Sequence, residues 1–136
     1  GEKDYQQLAI IRRMVSDLNV PVTIAPVPTV RESDGLALSS RNQHLSEAER
    51  ALAPALYRAL VTGRNAVAAG ESDADAVRRG AIAAIPADER LRLEYLELVD
   101  PRTFLPVQRV TGPVVAAGAL WVGSTRLIDN VLCTPP

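Results

Sequence analysis

Hydrophobic residues recur every three or four positions over residues 3–19, and this spacing predicts an amphipathic helix. The apolar stripe consists of Leu8, Ile11, Val15 and Leu18. A β-rich run over residues 20–25 follows and predicts a short strand that ends before Pro26. A helix followed by a buried parallel strand is half of an α/β unit, which requires neighbouring strands. We therefore expect residues 1–29 to be the end of a larger α/β domain.

Helical periodicity returns after residue 45. Ser46 and Glu49 have the spacing of a capping box, which predicts the start of a helix that ends between residues 63 and 70. A second, shorter helix is predicted from residues 72–75, whose serine and aspartates suit a helix start, to Pro86. The chain therefore has two predicted helices in this region.

The remainder of the chain has the pattern of β-strands. Apolar and polar residues alternate over residues 91–95, and the alternation changes phase at residues 96–98, which predicts a β-bulge. Residues 114–121 and 125–133 predict a hairpin around a short turn. Two helices and a three-stranded antiparallel sheet give residues 30–136 the pattern of a small α+β domain.

Composition narrows the class of protein. The chain has 136 residues, of which 47% are hydrophobic and 23% charged, with a formal net charge of −1, as in a soluble globular protein. Its longest nearly uncharged apolar run, residues 114–122, is too short for a membrane span, and no block of Lys or Arg indicates a nucleic-acid surface. No basic and apolar segment opens the chain, so we expect no signal peptide and a cytoplasmic location. A single cysteine, Cys133, and a single histidine, His44, exclude an internal disulfide and a Cys/His zinc site.

Two features of the first residues stand out. The chain begins at Gly1 without a methionine, so we expect a fragment or a processed piece of a longer protein. Lys3 is the only lysine among 15 basic residues, which suggests a position that needs a compact ammonium group. An ordinary surface lysine explains Lys3 equally well.

Candidate chemistry is concentrated in two clusters. Residues 1–4 place a glycine, a lysine and acids at a helix start, where free N–H groups suit a phosphate or carboxylate, and Gln7 lies one turn further on. Residues 38–41 supply two hydroxyls and a guanidinium, which suit a triphosphate, within the aperiodic, turn-rich segment 27–42. By spacing alone, a capped helix start and an ordinary polar loop are the simpler explanations.

Four segments together carry a resemblance to a known family. They are GEKDYQQL (residues 1–8), VPTVRESDGLALSSRN (27–42), YLELVD (95–100) and RLIDN (126–130). In this order they resemble the C-terminal half of the pantoate–β-alanine ligases, the AMP-forming pantothenate synthetases.

The resemblance implies a fold and a reaction. Residues 1–29 would be the C-terminal end of a Rossmann-type nucleotide-binding domain, and residues 30–136 would be a C-terminal lid. The implied reaction joins pantoate to β-alanine through a pantoyl adenylate, with Mg²⁺ entering with ATP and AMP and pyrophosphate leaving. The complete enzyme would be a homodimer, would hold no metal on this chain, and would act on neither nucleic acid nor membrane.

The resemblance also implies site residues. The residues implied to bind ATP are Gly1, Glu2, Lys3, Asp4, Val30, Leu38, Ser39, Ser40 and Arg41. Those implied to act in catalysis are Lys3, Ser39, Ser40 and Arg41, where the two cations stabilise phosphate charge and the hydroxyls orient oxygens. Gln7 is implied to bind pantoate.

The chain departs from the family pattern in three respects. Leu38 replaces a common methionine of similar volume, and His44 replaces a common tyrosine and is expected to be a solvated or packing residue. The family's upstream histidine motif is absent, so we expect the chain alone to be inactive. Two alternatives remain: a non-catalytic nucleotide-binding or interaction domain, and a different adenylate-forming enzyme.

Three further expectations concern structural residues. Asp129 and Asn130 are expected to satisfy backbone groups near a strand end, and Trp121 is expected to pack in the core or between domains. Cys133 is expected to be either a small buried hydrophobe or frayed near the chain end.

Overall fold

The computed structural model describes residues 1–136, which form four α-helices, three β-strands and two short 3-10 helices. The α-helices are α1 (Tyr5–Asp17), α2 (Glu47–Leu52), α3 (Ala55–Ala68) and α4 (Ala74–Ala83). The strands are β1 (Leu91–Val99), β2 (Val114–Val122) and β3 (Thr125–Cys133), and the 3-10 helices are Glu2–Asp4 and Ser40–His44. None of the helices combines the length and the apolar character that crossing a membrane requires.

The first predicted helix is confirmed, but the strand predicted after it is not formed. Helix α1 buries Leu8, whereas Leu18 at the end of the predicted stripe is 68% exposed. Residues 20–25 are irregular, because no strand of the chain lies beside them to complete a hydrogen-bonded ladder. The prediction of a strand at this position was therefore wrong for the chain as described.

The predicted capping box and the helices of the second region are present. Ser46 accepts a hydrogen bond from the Glu49 amide, and the Glu49 carboxylate accepts one from the Ser46 amide. The single helix predicted here is divided into α2 and α3 at Pro54, because proline lacks an N–H and clashes with the preceding turn. The small domain thus has three helices rather than two.

The three strands form an antiparallel sheet in the order β1-β2-β3. The predicted bulge is confirmed as a register shift between Leu93 and Tyr95, so Glu94 has no partner in the ladder. The predicted hairpin is confirmed as the β2–β3 pair, with Gly123 at φ 58° in its turn.

The core lies between helices α3 and α4 and one face of the sheet. Helix α3 approaches closely at Gly118, where a Cβ atom would lie 2.9 Å from a methyl group of Leu56. On the opposite face a smaller cluster includes Val115 and Ala117, against which Tyr5 of α1 and Phe104 pack. Helices α3 and α4 of the small α+β domain therefore cover one face of the sheet, and the start of α1 packs on the other face.

Candidate functional site

The residues immediately before the Ser-Ser-Arg segment form an ordered turn. The Leu38 amide donates to the Val30 carbonyl at 2.9 Å, and the Glu32 amide donates to the Leu36 carbonyl at 2.8 Å. Gly35 occupies the tip at φ 96°, a conformation that favours glycine. This narrow turn, residues 30–38, fixes where the Ser-Ser-Arg segment begins.

Arg31 attaches the turn to strand β3 and to helix α3. Its guanidinium donates to both carboxylate oxygens of Asp129, at 2.5 and 2.9 Å, and to the Gly35 carbonyl at 3.1 Å. The same guanidinium lies 4.2 Å from the centre of the Tyr57 ring. Asp129 is only 6% exposed, so the ion pair is largely removed from water.

Asn130, the next residue of β3, holds the start of the chain. Its side-chain amide nitrogen Nδ2 donates to the carbonyls of Glu2 and Lys3, at 2.8 and 3.0 Å. The expectation that Asn130 satisfies backbone groups is confirmed. Asp129 accepts the Asn130 amide at 2.8 Å as expected, but its ion pair with Arg31 was missed.

The Ser-Ser-Arg segment forms the second 3-10 helix. The Ser39 hydroxyl accepts a hydrogen bond from the Arg41 amide at 3.2 Å and so caps this short helix. The Arg41 side chain is exposed, and its Nη1 atom donates to the Arg126 carbonyl at 3.4 Å. Asn42 donates to the Ala37 carbonyl at 3.0 Å, while its buried Oδ1 atom has no partner.

Three neighbouring cavities bring most of the charged predicted residues together. Lys3 and Ser39 line a narrow cavity of about 10 Å³, which holds no more than one water molecule. Lys3, Asp4 and Gln7 line a wider one of about 180 Å³. Arg41 lines a third, open cavity of about 560 Å³. Lys3 therefore contributes to two of the three cavities, one with Gln7 and one with Ser39.

Arg126 lines all three cavities, and the sequence-based reasoning did not single it out. The carboxylate of Glu94, the residue at the bulge, accepts hydrogen bonds from Arg126, the shortest at 2.6 Å, and from Trp121 at 3.1 Å. These bonds, chiefly that from Arg126, hold the pKa of Glu94 below its usual range, so the carboxylate stays charged. The only available signal was the arginine of the RLIDN segment.

The other predicted residues lie elsewhere. Glu2 lines a separate cavity with Arg31 and Arg64. The remaining four, which line none of the three cavities above, are exposed: Gly1, Val30, Leu38 and Ser40. Their roles, like those of all the implied site residues, stay predictions.

The remaining candidates are the residues that were expected to have structural roles. His44 is exposed beside Arg41, as expected, and Cys133 is buried rather than frayed. Trp121 is half-buried and not part of the core: it donates to Glu94 and packs against the Arg92 guanidinium. No group of three or more His, Cys, Asp or Glu side chains is placed to hold a metal ion.

Comparison with known proteins assigns the family. Residues 1–132 match the pantoate-beta-alanine ligase family. The pantothenate synthetase of Moorella thermoacetica is 49% identical over 97% of this chain and 47% of its own length. The chain spans between a quarter and about half the length of the curated relatives it matches.

Solved structures agree with this assignment. Pantothenate synthetase from Thermus thermophilus is 48% identical, with a TM-score of 0.89 over 96% of this chain and 47% of that one. The pantoate-beta-alanine ligase from Francisella tularensis, solved with beta-gamma ATP and beta-alanine, is 27% identical, with a TM-score of 0.60 over 97% of this chain and 41% of that one. The matches cover nearly the whole chain and agree in fold. The chain belongs to the pantoate-beta-alanine ligase family.

Proposed function

We propose that this chain is the C-terminal part of an enzyme that condenses pantoate with β-alanine at the expense of ATP, releasing AMP and pyrophosphate. Family membership supports the reaction, and the complex of the Francisella tularensis relative with beta-gamma ATP and beta-alanine supports the substrates. The observation that carries the proposal in this chain is the position of Lys3. It lines one cavity with Gln7, the proposed pantoate ligand, and another with Ser39 of the proposed ATP-binding segment.

In the first step, a carboxylate oxygen of pantoate attacks the α-phosphorus of ATP, and the bond to the β-phosphate breaks, so that pyrophosphate leaves. Negative charge grows on phosphate oxygens, and positioned cations stabilise such charge by about 3 kcal/mol each. We assign this role to Lys3 and Arg41, with the hydroxyls of Ser39 and Ser40 orienting the oxygens. Arg126 lines the cavities of both of these cations, but its charge is paired with the carboxylate of Glu94.

In the second step, the amine of β-alanine attacks the acyl carbon, the bond to AMP breaks, and the amine gives up a proton. The chain needs no nucleophile of its own, since the substrates supply both the carboxylate and the amine. An acyl adenylate is easily hydrolysed, so we propose that closure of the lid excludes water from it.

Mg²⁺ is proposed to enter with ATP rather than to be held by this chain. No three potential ligands of this chain are grouped together, and Mg²⁺ in nucleotide sites is commonly held by substrate phosphates, water and one or two carboxylates. This supports an ion that arrives with ATP, while Lys3 and Arg41 supply positive charge from this chain.

The test measures pantoate-dependent exchange of pyrophosphate into ATP by the full-length protein that contains this chain. We expect Lys3→Ala to slow exchange by roughly 100-fold or more, the usual cost of removing one preorganised electrostatic group. Arg13→Ala is the matched control, because Arg13 is exposed on α1 and pairs only with Asp17. Exchange by Lys3→Ala as fast as that of the control would remove Lys3 from the mechanism.

A second variant separates substrate binding from charge stabilisation. We expect Gln7→Ala to raise the KM for pantoate and to leave the KM for ATP nearly unchanged, because Gln7 lines the wider cavity but not the one that contains Ser39. A selective rise in the KM for ATP would contradict the assignment.

The alternative, a domain that binds a nucleotide without catalysis, is distinguished by two measurements. Calorimetric titration of the isolated chain with Mg-ATP is expected to show weak binding, because this chain spans only about half the length of its pantothenate synthetase relatives. Tight binding by the isolated chain, together with no exchange activity in the full-length protein, would favour the alternative.

A further inference from the structure

The two clusters that carry the proposed chemistry lie far apart in sequence but are attached to one short stretch of strand β3. Lys3 belongs to the chain start, and Ser39 follows the turn formed by residues 30–38. Strand β3 is an edge strand of the sheet, so one side of it is free to meet other segments. Two consecutive residues of β3, Asp129 and Asn130, bind the turn before Ser39 and the chain start, and Arg41 also donates to the Arg126 carbonyl of the same strand.

Consecutive residues of a strand point to opposite faces of the sheet. Asp129 shares its face with Leu127 and Val131, which belong to the core beneath α3. On that face it accepts two hydrogen bonds from Arg31 and so holds the turn that leads to Ser39. Asn130 points to the other face, where it donates to the Glu2 and Lys3 carbonyls.

The chemistry of each side chain suits this attachment. Two adjacent carbonyls need a group with two N–H donors, and the amide of Asn130 provides them from one nitrogen, which neither a hydroxyl nor a carboxylate can do. A buried carboxylate needs a fixed cation, and the planar guanidinium of Arg31 binds both oxygens of Asp129 at once. The Tyr57 ring packs against the face of that guanidinium, while the carboxylate binds its edge.

We propose that Asp129 and Asn130 are positioning residues, which set the separation between Lys3 and Ser39 by attaching their segments to opposite faces of strand β3. This inference rests on the proposed function, because it gives Lys3 and Ser39 a common substrate. Neither Asp129 nor Asn130 needs to touch the reacting atoms, since each acts through the backbone or the turn that it holds.

The principal variants change Asn130 rather than Asp129. Removing the Asp129 carboxylate would leave the largely buried guanidinium of Arg31 without its partner, and the domain could unfold. Asn130→Ala removes both donors, and Asn130→Asp keeps the size but places a carboxylate beside two carbonyls. Asn65→Asp is the matched control, since Asn65 is exposed on α3 and makes no side-chain hydrogen bond. All variants are made in the full-length protein.

Hydrogen–deuterium exchange of a peptide covering residues 1–8 tests the attachment directly. We expect faster exchange there in Asn130→Ala, with peptides from α3 and β2 unchanged, and no change in the control. Unchanged exchange over residues 1–8 would overturn the inference whether or not the protein is active.

Kinetics test the positioning of Lys3. We expect Asn130→Asp to lower kcat for pyrophosphate exchange roughly tenfold or more while changing the KM for ATP less than about threefold, since displacement of a catalytic group costs rate. Combined with Lys3→Ala, it should add little further loss, because both changes remove one contribution. Losses that multiply in the double variant would overturn the inference. A wild-type protein without exchange activity would instead refute the proposed ligase function, and the attachment would then be decided by hydrogen exchange alone.

Discussion

Gly35, at the tip of the turn that carries the Ser-Ser-Arg segment, is a position where a single added methyl group should have a large effect. Its φ of 96° lies in a region that costs an L-residue about 1–2 kcal/mol. An added Cβ would also lie only 2.1 Å from a ring carbon of Tyr57, so the ring has to move. We therefore expect Gly35→Ala to act through backbone strain and through packing at once.

The packing part of the cost can be worked out from the same contacts. Forcing a side chain out of its packed position costs about 1–3 kcal/mol. Movement of the Tyr57 ring also weakens its contact with Arg31, worth about 0.5–1 kcal/mol at a partly exposed site. With the backbone strain included, we expect Gly35→Ala to lower the free energy of unfolding by about 2.5–6 kcal/mol.

Two other glycines separate these contributions. Gly70 has φ 102° but no atom near its missing Cβ, so Gly70→Ala should cost only the strain of about 1–2 kcal/mol. Gly80 lies inside helix α4 with open space around it, so Gly80→Ala should stabilise the chain by about 0.5–1 kcal/mol. Urea unfolding followed by circular dichroism measures all three variants. A loss for Gly35→Ala no larger than that for Gly70→Ala would refute the proposed contact with Tyr57.

Two further predictions follow from ionisable groups. The hydrogen bond from Arg50 holds the pKa of Asp34 below 3.8, so its stabilisation is present above that pH and lost as the pH falls below it. The ion pair of Asp34 with Arg50 is partly exposed and stabilises the fold by at most about 1 kcal/mol. The melting temperatures of wild type and Asp34→Asn should therefore differ at pH 7 and converge in acid. A difference that stays constant with pH would contradict this. Burial raises the pKa of Cys133, so iodoacetamide should label it rapidly in denaturant and very slowly in the native chain, as followed by mass spectrometry; fast native labelling would contradict its burial.

Elements with a strong local signal were predicted well. The capping box at Ser46 and the hairpin turn at Gly123 each depend on neighbouring residues, and each is present. The predicted bulge is also present, but it lies at Glu94 rather than at the predicted phase change at residues 96–98. The strand expected at residues 20–25 does not form, because a strand needs a hydrogen-bonded neighbour. The hydrophobic pattern of the segment cannot show whether such a neighbour exists. The prediction of one continuous helix was wrong at Pro54, where the chain divides into α2 and α3. The prediction followed the apolar stripe on either side and overlooked the local rule that proline interrupts a helix.

In the candidate site too, residues with a local sequence signal were predicted, and residues placed by distant contacts were not. The resemblance of short segments directed attention to Lys3, Gln7 and Arg41, and the structure brings these residues to neighbouring cavities. The only local signal for Arg126 was its place in the RLIDN segment, because its position beside the cavities depends on its ion pair with Glu94 on another strand.

The sequence by itself determined where helices and turns begin, because capping, proline and side-chain alternation act within a few residues. It also determined the family, through short segments whose residues can be compared one by one. Only the tertiary structure decided which distant segments meet. The ion pair of Arg31 with Asp129 and the hydrogen bonds of Asn130 join residues about 100 or more positions apart. Such contacts depend on the strand register and on which distant segments lie against each face of β3, which no local pattern specifies.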